Sequence, residues 1–204
     1  MKLGREAMEA LQAEITGLLA PGDELVVAGP AALHGTSYIA EMKKEELEKI
    51  FSPGFNRQCR ELKKDYAACV KTGEGEVWET AAAAGASALY AMGEGGFLSA
   101  LWKMAEASEV GLKADLRKVP VRQETIEVCE IFDINPYKLQ SEGALLIGIR
   151  GGDALVQKLR RMGYMAEIIG QTDVGNDRLL YSGENARYLE RPAKDEIYKL
   201  TERK

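Results

Sequence analysis

Histidine is almost missing from this chain: His34 is the single example among 204 residues. One imidazole cannot build a multi-histidine metal centre and is no anchor for a conventional hydrolase triad. Cysteine is nearly as scarce. Cys59, Cys69 and Cys129 are odd in number, and their spacing matches neither a zinc knuckle nor a CxxC redox pair, so buried, incidental thiols are expected. Positive charge is not in excess either. Twenty-seven Lys and Arg stand against 32 Asp and Glu, a formal charge of −5, which gives a phosphate backbone no general attraction and makes nucleic acid an unexpected partner. The opening twenty residues carry Glu6, Glu9 and Glu14 among the apolar ones, which excludes a signal peptide or a membrane span there and points to the cytoplasm.

What is present describes an ordinary globular chain, 46% apolar and 29% charged, with 21 glycines. At this length roughly 70% of the unfolded surface becomes buried, enough for a core without disulfide or metal staples. Leu3, Ala7, Met8, Leu11, Ile15, Leu18 and Leu19 recur at helical spacing until Pro21-Gly22, so residues 1–20 are predicted as an amphipathic N-terminal helix. Glu24 to Ala28 reads as a buried strand. Thr36 to Val70 reads as two or three surface helices, Glu76 to Ala84 as another, and Ala86 to Met92 as a strand entering a glycine turn.

The helix after that turn should bury Phe97, Leu98, Leu101, Met104 and Ala105. A strand over Val110 to Leu116 follows, then a helix begun by Pro120 whose Val121, Thr125, Val128, Cys129 and Phe132 share a face. Ala144 to Ile149, a helix using Leu155, Val156, Leu159 and Met162, and Tyr164 to Ile169 form a strand, helix, strand unit. Arg178 to Tyr181 is expected to add a short strand and Ala193 to Leu200 a last helix. Trp78 and Trp102 are expected in the core.

The segment Gly93-Glu94-Gly95-Gly96 is the most informative stretch. Glycines let a main chain approach an anion closely, and the helix that follows offers unpaired N–H donors, although such turns also occur for steric reasons alone. Glu94 is the loop's charged side chain, a candidate base or magnesium ligand, or simply a solvated or helix-capping carboxylate. His34-Gly35-Thr36 is the second candidate: the glycine turn exposes backbone donors while Thr36 caps the next helix, and His34 is either an acid/base group or an ordinary surface residue.

Read together, GEGGFLSALWKMAEASEVGLKADLRKVPVRQETIEVCEIFDINPYKLQSEGALLIGI (residues 93–149) resembles the C-terminal domain of the aminoimidazole ribonucleotide synthetase superfamily, within it the HypE-like members. PGDELVVAGPAALHGTSYIAE (residues 21–41) is similar to the strand and glycine-threonine turn of the same family, and the likeness continues to about Gly170. The resemblance implies an α+β fold, a mixed and mostly antiparallel sheet covered by helices, occupying residues 21–204. The two glycine motifs make Gly93, Glu94, Gly95, Gly96, His34, Gly35 and Thr36 the candidate ligand contacts.

The same resemblance sets what is expected to be absent. Family members carry acidic metal ligands and most of the ATP site on an N-terminal domain, and this chain reads as starting at the second domain. HypE-like relatives place a His-Asp-Val-Thr-type sequence before the glycines, where Tyr90, Ala91, Met92 and Gly93 stand here, so a carboxylate is replaced by Ala91. They also use a C-terminal cysteine, whereas this sequence ends Leu200-Thr201-Glu202-Arg203-Lys204. Cys129, on a predicted core face, should be inert.

The expectation is therefore an accessory binding module for a phosphate-containing small molecule, with no catalytic or metal-ligating residues of its own, not catalytic alone, and self-associating as a homodimer. The competing expectation is half of a split ATP-dependent synthetase or HypE-like dehydratase, with ATP and Mg²⁺ entering through a separate nucleotide-binding subunit. Neither reading involves a membrane. Fold likeness alone does not carry activity.

Overall fold

A computed structural model describes residues 3–69 and 72–201. Among these, nine helices and eight strands form an α+β fold around one mixed, mostly antiparallel sheet, in the order β1 (Thr16–Gly17), β3 (Ala88–Ala91), β5 (Leu145–Ile149), β2 (Glu24–Ala28), β6 (Ala166–Asp173), β4 (Gly111–Asp115), β7 (Arg178–Ser182) and β8 (Asn185–Tyr188). The central strands are β2 (Glu24–Ala28) and β5 (Leu145–Ile149), paired antiparallel from Glu24 opposite Ile149 to Ala28 opposite Leu145. Strand alternation sends Leu25 and Val27 to one face, and Val26 and Ala28 to the other. Both faces are covered, which is why these strands read as continuous apolar runs.

The expected strand, helix, strand unit is present as β5, α8 (Asp153–Arg161) and β6 (Ala166–Asp173). Its strands do not touch each other: β2 lies between them and runs antiparallel to both. The unit is thus a split crossover. Strand β4 (Gly111–Asp115) pairs antiparallel with β6 and parallel with β7 (Arg178–Ser182), the one parallel pairing in the described sheet.

Helices α5 (Glu76–Ala83) and α8 cover one sheet face, burying Trp78, Leu155 and Leu159 over Val26, Leu145 and Ile147. On the other face α6 (Gly96–Ala107) runs under α1 (Arg5–Ala13) and is buried on nearly every side; Phe97, Leu101 and Met104 have no exposed surface. Helices α2 (Leu33–Met42), α4 (Pro53–Tyr66) and α7 (Gln123–Phe132) build a third cluster around Ile39, Cys59, Val128 and Leu139. Ser52 caps α4 by accepting from the Phe55 N–H, with Pro53 at the first helical position. The short α3 (Lys44–Leu47) joins α2 to α4, as the charge run from Lys43 to Glu48 predicts for a solvated stretch.

Several boundaries differ from the sequence reading. The opening helix ends at Ala13 rather than near residue 20, because Thr16–Gly17 forms β1 against β3 (Ala88–Ala91) and extended backbone carries both Ile15 and Leu19 into the core. Helix α2 is not a surface helix; Leu33, Gly35, Thr36, Ile39 and Ala40 are buried. Pro120 does not start α7. Its carbonyl accepts from the Ala31 N–H, and Val121 makes a bridge to Ala31 instead of joining the helical face. The last helix shrinks to α9 (Tyr198–Thr201): residues 193–195 have no helix or strand and 196–197 form a turn, with Asp195 and Ile197 buried. Strand β8 (Asn185–Tyr188) was not anticipated; it pairs with β7 across Gly183-Glu184, a two-residue turn whose glycine has φ +65°. Val70 and residues 202–204, at the ends of two expected segments, lie outside the described residues. Among the described residues no helix is long and apolar enough to cross a membrane.

Candidate functional site

The two glycine motifs meet on one short segment, residues 137–142. The Gly35 N–H donates to the Gln140 carbonyl at 3.0 Å, the Ser141 N–H donates to the Gly93 carbonyl at 3.0 Å, and the Ala32 N–H donates to Ser141 Oγ at 2.8 Å. Leu139 fills the space between them. A Cβ on Gly35 would lie 2.4 Å from Leu139 Cγ, and one on Gly96 would lie 2.5 Å from the Leu139 carbonyl oxygen and 2.8 Å from that of Tyr137. Gly35 and Gly96 are therefore required by close approach, and Gly96 also by its φ of +67°. Gly93 is different: open space surrounds its Cβ position.

Gly95 is the residue preceding α6, in the left-handed region at φ +78°, and no side chain nearby in sequence caps the helix. The cap comes from 100 residues away. The Gly95 N–H donates to Asp195 Oδ2 at 2.7 Å, while Asp195 Oδ1 accepts from the Ile197 N–H at 2.9 Å. The Gln140 backbone N–H also favours the charged form of the same carboxylate. A carboxylate at the start of a twelve-residue helix meets aligned peptide dipoles as well as a donor. Burial pushes the Asp195 carboxyl above its ordinary value, opposed by those backbone donors and reinforced by the charge of Glu94. Glu94 itself is exposed and accepts from the Tyr198 hydroxyl at 3.1 Å.

The second motif is built differently. His34 Nδ1 and Lys63 Nζ both reach Glu142 Oε2, at 2.7 and 2.8 Å, and lie 2.7 Å from each other. The bond from Lys63 is the chief reason the Glu142 carboxyl sits below the ordinary carboxylate range, with His34 adding to it. His34 also lines an open groove between α2 and α4 with Ser37, Tyr38, Arg60 and Lys63. Arg60 Nη1 there is buried without a hydrogen-bond partner.

Thr36 corrects the sequence reading: it lies inside the first turn of α2, fully buried, and the helix is preceded by Ala32 in the left-handed conformation. Its hydroxyl donates to the Ala32 carbonyl at 2.8 Å and pairs with Thr125 Oγ1 at 3.0 Å, so it holds α2 to α7 instead of capping a helix.

Cys129 is almost fully buried, and desolvation pushes its thiol up to about 12, as its place on the core face of α7 implies. Cys59 reaches about 12 for the same reason. Trp78 and Trp102 are both core residues. Asp195 is the participant that sequence reading missed. It belongs to no motif, and its partner donor is a backbone group remote in sequence.

Magnesium is not matched by the loop. Ala91 offers no side-chain oxygen, Glu94 is the loop's lone carboxylate, and among the described residues no three His, Cys, Asp or Glu side chains gather into a metal-holding group.

Residues 20–181 match the family model described as AIR synthase related protein, C-terminal domain. The carbamoyl dehydratase HypE of Rhodobacter capsulatus is 28% identical over 138 residues, 68% of this chain and 36% of that protein. Among solved structures, HypE in its complex with HypF aligns with a TM-score of 0.60 at 21% identity over 86% of this chain and 54% of that one. HypE in complex with ATP gives a TM-score of 0.62 at 18% identity, over 88% and 53%. The chain thus spans about a third of the length of that HypE sequence and about half of the aligned structures.

Proposed function

Because the chain belongs to the AIR synthase related C-terminal domain family, we propose that it works as an accessory binding module, not catalytic alone, that takes a phosphate-bearing small molecule at the Gly93–Gly96 loop. The observation that carries this reading is the 2.7 Å bond from the Gly95 N–H to a carboxylate oxygen. The loop already holds an anionic oxygen at the start of α6, the arrangement a phosphoryl oxygen needs. Gly93, Glu94 and Gly95 form the mouth of the loop. Gly96, Gly35 and Thr36 act beneath it through packing, and His34 stands apart in the Glu142 and Lys63 cluster. The replacement of a loop carboxylate by Ala91 supports binding over turnover.

A second reading has its own support: the chain would be half of a split ATP-dependent synthetase or HypE-like dehydratase, completed by a separate subunit that brings ATP and Mg²⁺. It draws on the fold shared with HypE, structures of which contain ATP or HypF.

The test is thermal unfolding with inorganic phosphate, with ATP, and with ATP plus Mg²⁺, beside calorimetric titration. A ligand at a hundred times its Kd adds about 2.7 kcal/mol of stability. Phosphate should raise the Tm of the native chain. Gly93→Asp, placed in open space, should leave the unliganded Tm unchanged and remove the phosphate effect. A native chain that phosphate does not stabilise refutes the module. ATP hydrolysis appearing only with a co-purified subunit establishes the second reading.

A further inference from the structure

Away from the glycine loop, α2 and α4 turn stripes of the same spacing toward one groove. His34, Tyr38 and Glu41 on α2, and Arg60, Lys64 and Ala67 on α4, each stand at i, i+4 and i+7, the interval at which side chains share one helix face. The open groove they line measures ≈ 580 Å³ and its walls are mostly apolar. That volume lies within the roughly 300–1,000 Å³ common among small-molecule sites, which pair apolar walls with a few convergent polar groups.

Two of the groove's basic groups are already engaged, because His34 and Lys63 both reach Glu142 Oε2. Arg60 and Lys64 are not held in this way. The one ionic neighbour of Arg60 among the described residues is Glu41, whose Oε2 lies 3.6 Å from Nε, beyond hydrogen-bond length, on a side chain that is 71% exposed. A loose surface pair of this kind contributes little. Arg60 Nη1 is buried with no acceptor at all, which leaves a charged donor unsatisfied inside the wall. Lys64 is exposed and enters no ion pair among the described residues. Independently of these charges, the Tyr38 side chain on the facing helix is half exposed at the groove wall. Arg60 and Lys64 against Glu41 leave one positive charge to be matched, which suits a monoanion.

We propose that the groove between α2 and α4 binds an aromatic monocarboxylate. The carboxylate takes the Arg60 guanidinium, with Lys64 beside it, in place of the loose contact to Glu41, and the ring of the ligand lies along Tyr38. A planar guanidinium grips a carboxylate through two parallel N–H···O bonds, and a turn of the Arg60 head toward the groove supplies Nη1 with the acceptor it lacks. The apolar walls take the ligand's ring out of water, and offset or edge contact with Tyr38 adds to that burial. The site shares no residue with the Gly93–Gly96 loop.

The test titrates benzoate into the native chain by calorimetry, with acetate as the charge without the ring and benzyl alcohol as the ring without the charge. Benzoate should bind at least tenfold more tightly than either, and Arg60→Gln should weaken it at least tenfold, the loss of a charge-assisted pair. In the native chain, benzoate should shift the backbone amide NMR signals of residues 34–41 and 60–67, a readout that needs no variant to fold. A native chain that binds no benzoate, or whose shifted amides lie outside those two stretches, overturns the site. Acetate binding as tightly as benzoate overturns the role of the ring and Tyr38. Benzyl alcohol binding as tightly, or a folded Arg60→Gln chain with native affinity, overturns the role of the guanidinium.

Discussion

Replacing Gly96 by alanine tests whether the loop is held by backbone contact, and the expected cost follows from two separate observations. At φ +67° an L-residue occupies the left-handed region, which costs about 1–2 kcal/mol. The added Cβ would stand 2.5 Å from the Leu139 carbonyl oxygen, 2.8 Å from the Tyr137 carbonyl oxygen and 2.9 Å from the Leu139 nitrogen. None of these is the end of a flexible side chain, so segment 137–139 must shift, an overpacking cost of about 1–3 kcal/mol. Together, Gly96→Ala should lose about 2–5 kcal/mol, a large share of a typical stability of about 5–15 kcal/mol. In urea denaturation, with a slope of roughly 3 kcal/mol/M for a chain of this size, the midpoint should fall by about 0.7–1.7 M. Gly93→Ala is the internal control. It meets no atom within 4 Å and its φ is not positive, so lowering the entropy of the unfolded chain should leave it neutral or about 0.4–1 kcal/mol more stable. Equal midpoints for the two variants would refute the assignment of Gly96 to backbone packing.

Glu142 and Asp195 should give pH dependences of opposite sign. Glu142 is depressed in the folded state, so its contribution is present above the unfolded value of 4.5 and is lost as pH falls through the lower folded value. Asp195 is raised, so its contribution is complete below the unfolded value of 3.8 and is lost as pH rises through the higher folded value. Melting curves of Glu142→Gln and Asp195→Asn between pH 3 and 7 should each lack one of these trends. Thr36→Val removes a buried hydroxyl bonded to Ala32 and Thr125 and should cost about 1–3 kcal/mol by urea titration. With thiols pushed up to about 12, Cys59 and Cys129 should stay unmodified by a disulfide reagent at pH 8 until the chain unfolds, as peptide mass mapping would show.

How much could be read in advance depended on how local the cause was. Strands β2 and β5 were legible because burial on both faces demands unbroken apolar runs, and α6 because its glycine start and apolar spacing are adjacent in the chain. The β7–β8 hairpin left a signal in Gly183-Glu184, a two-residue turn with a glycine first, but every residue of β8 is exposed, so no hydrophobic alternation announced it. Residues 14–19 kept helical spacing, yet pairing with β3 outweighed it, since propensity over one turn is weaker than a sheet edge with Ile15 and Leu19 buried beside it. Thr36 looked like a cap because a threonine after a glycine is one in many proteins; burial against Thr125 gave it another role.

The amino-acid order by itself determined the buried strands β2 and β5, the glycine loop at the start of a buried helix and the burial of Cys129, properties that depend on periodicity and residue type within short windows, whereas the α+β architecture and the carboxylate replaced by Ala91 followed from the family resemblance. Tertiary structure decided what occupies the loop. Leu139 seats itself between Gly35 and Gly96, Ser141 ties the two motifs together, and Asp195 arrives from a segment 100 residues downstream to take the Gly95 N–H. A backbone donor has no side-chain signature, so nothing in the linear order marks its partner until the chain closes on itself.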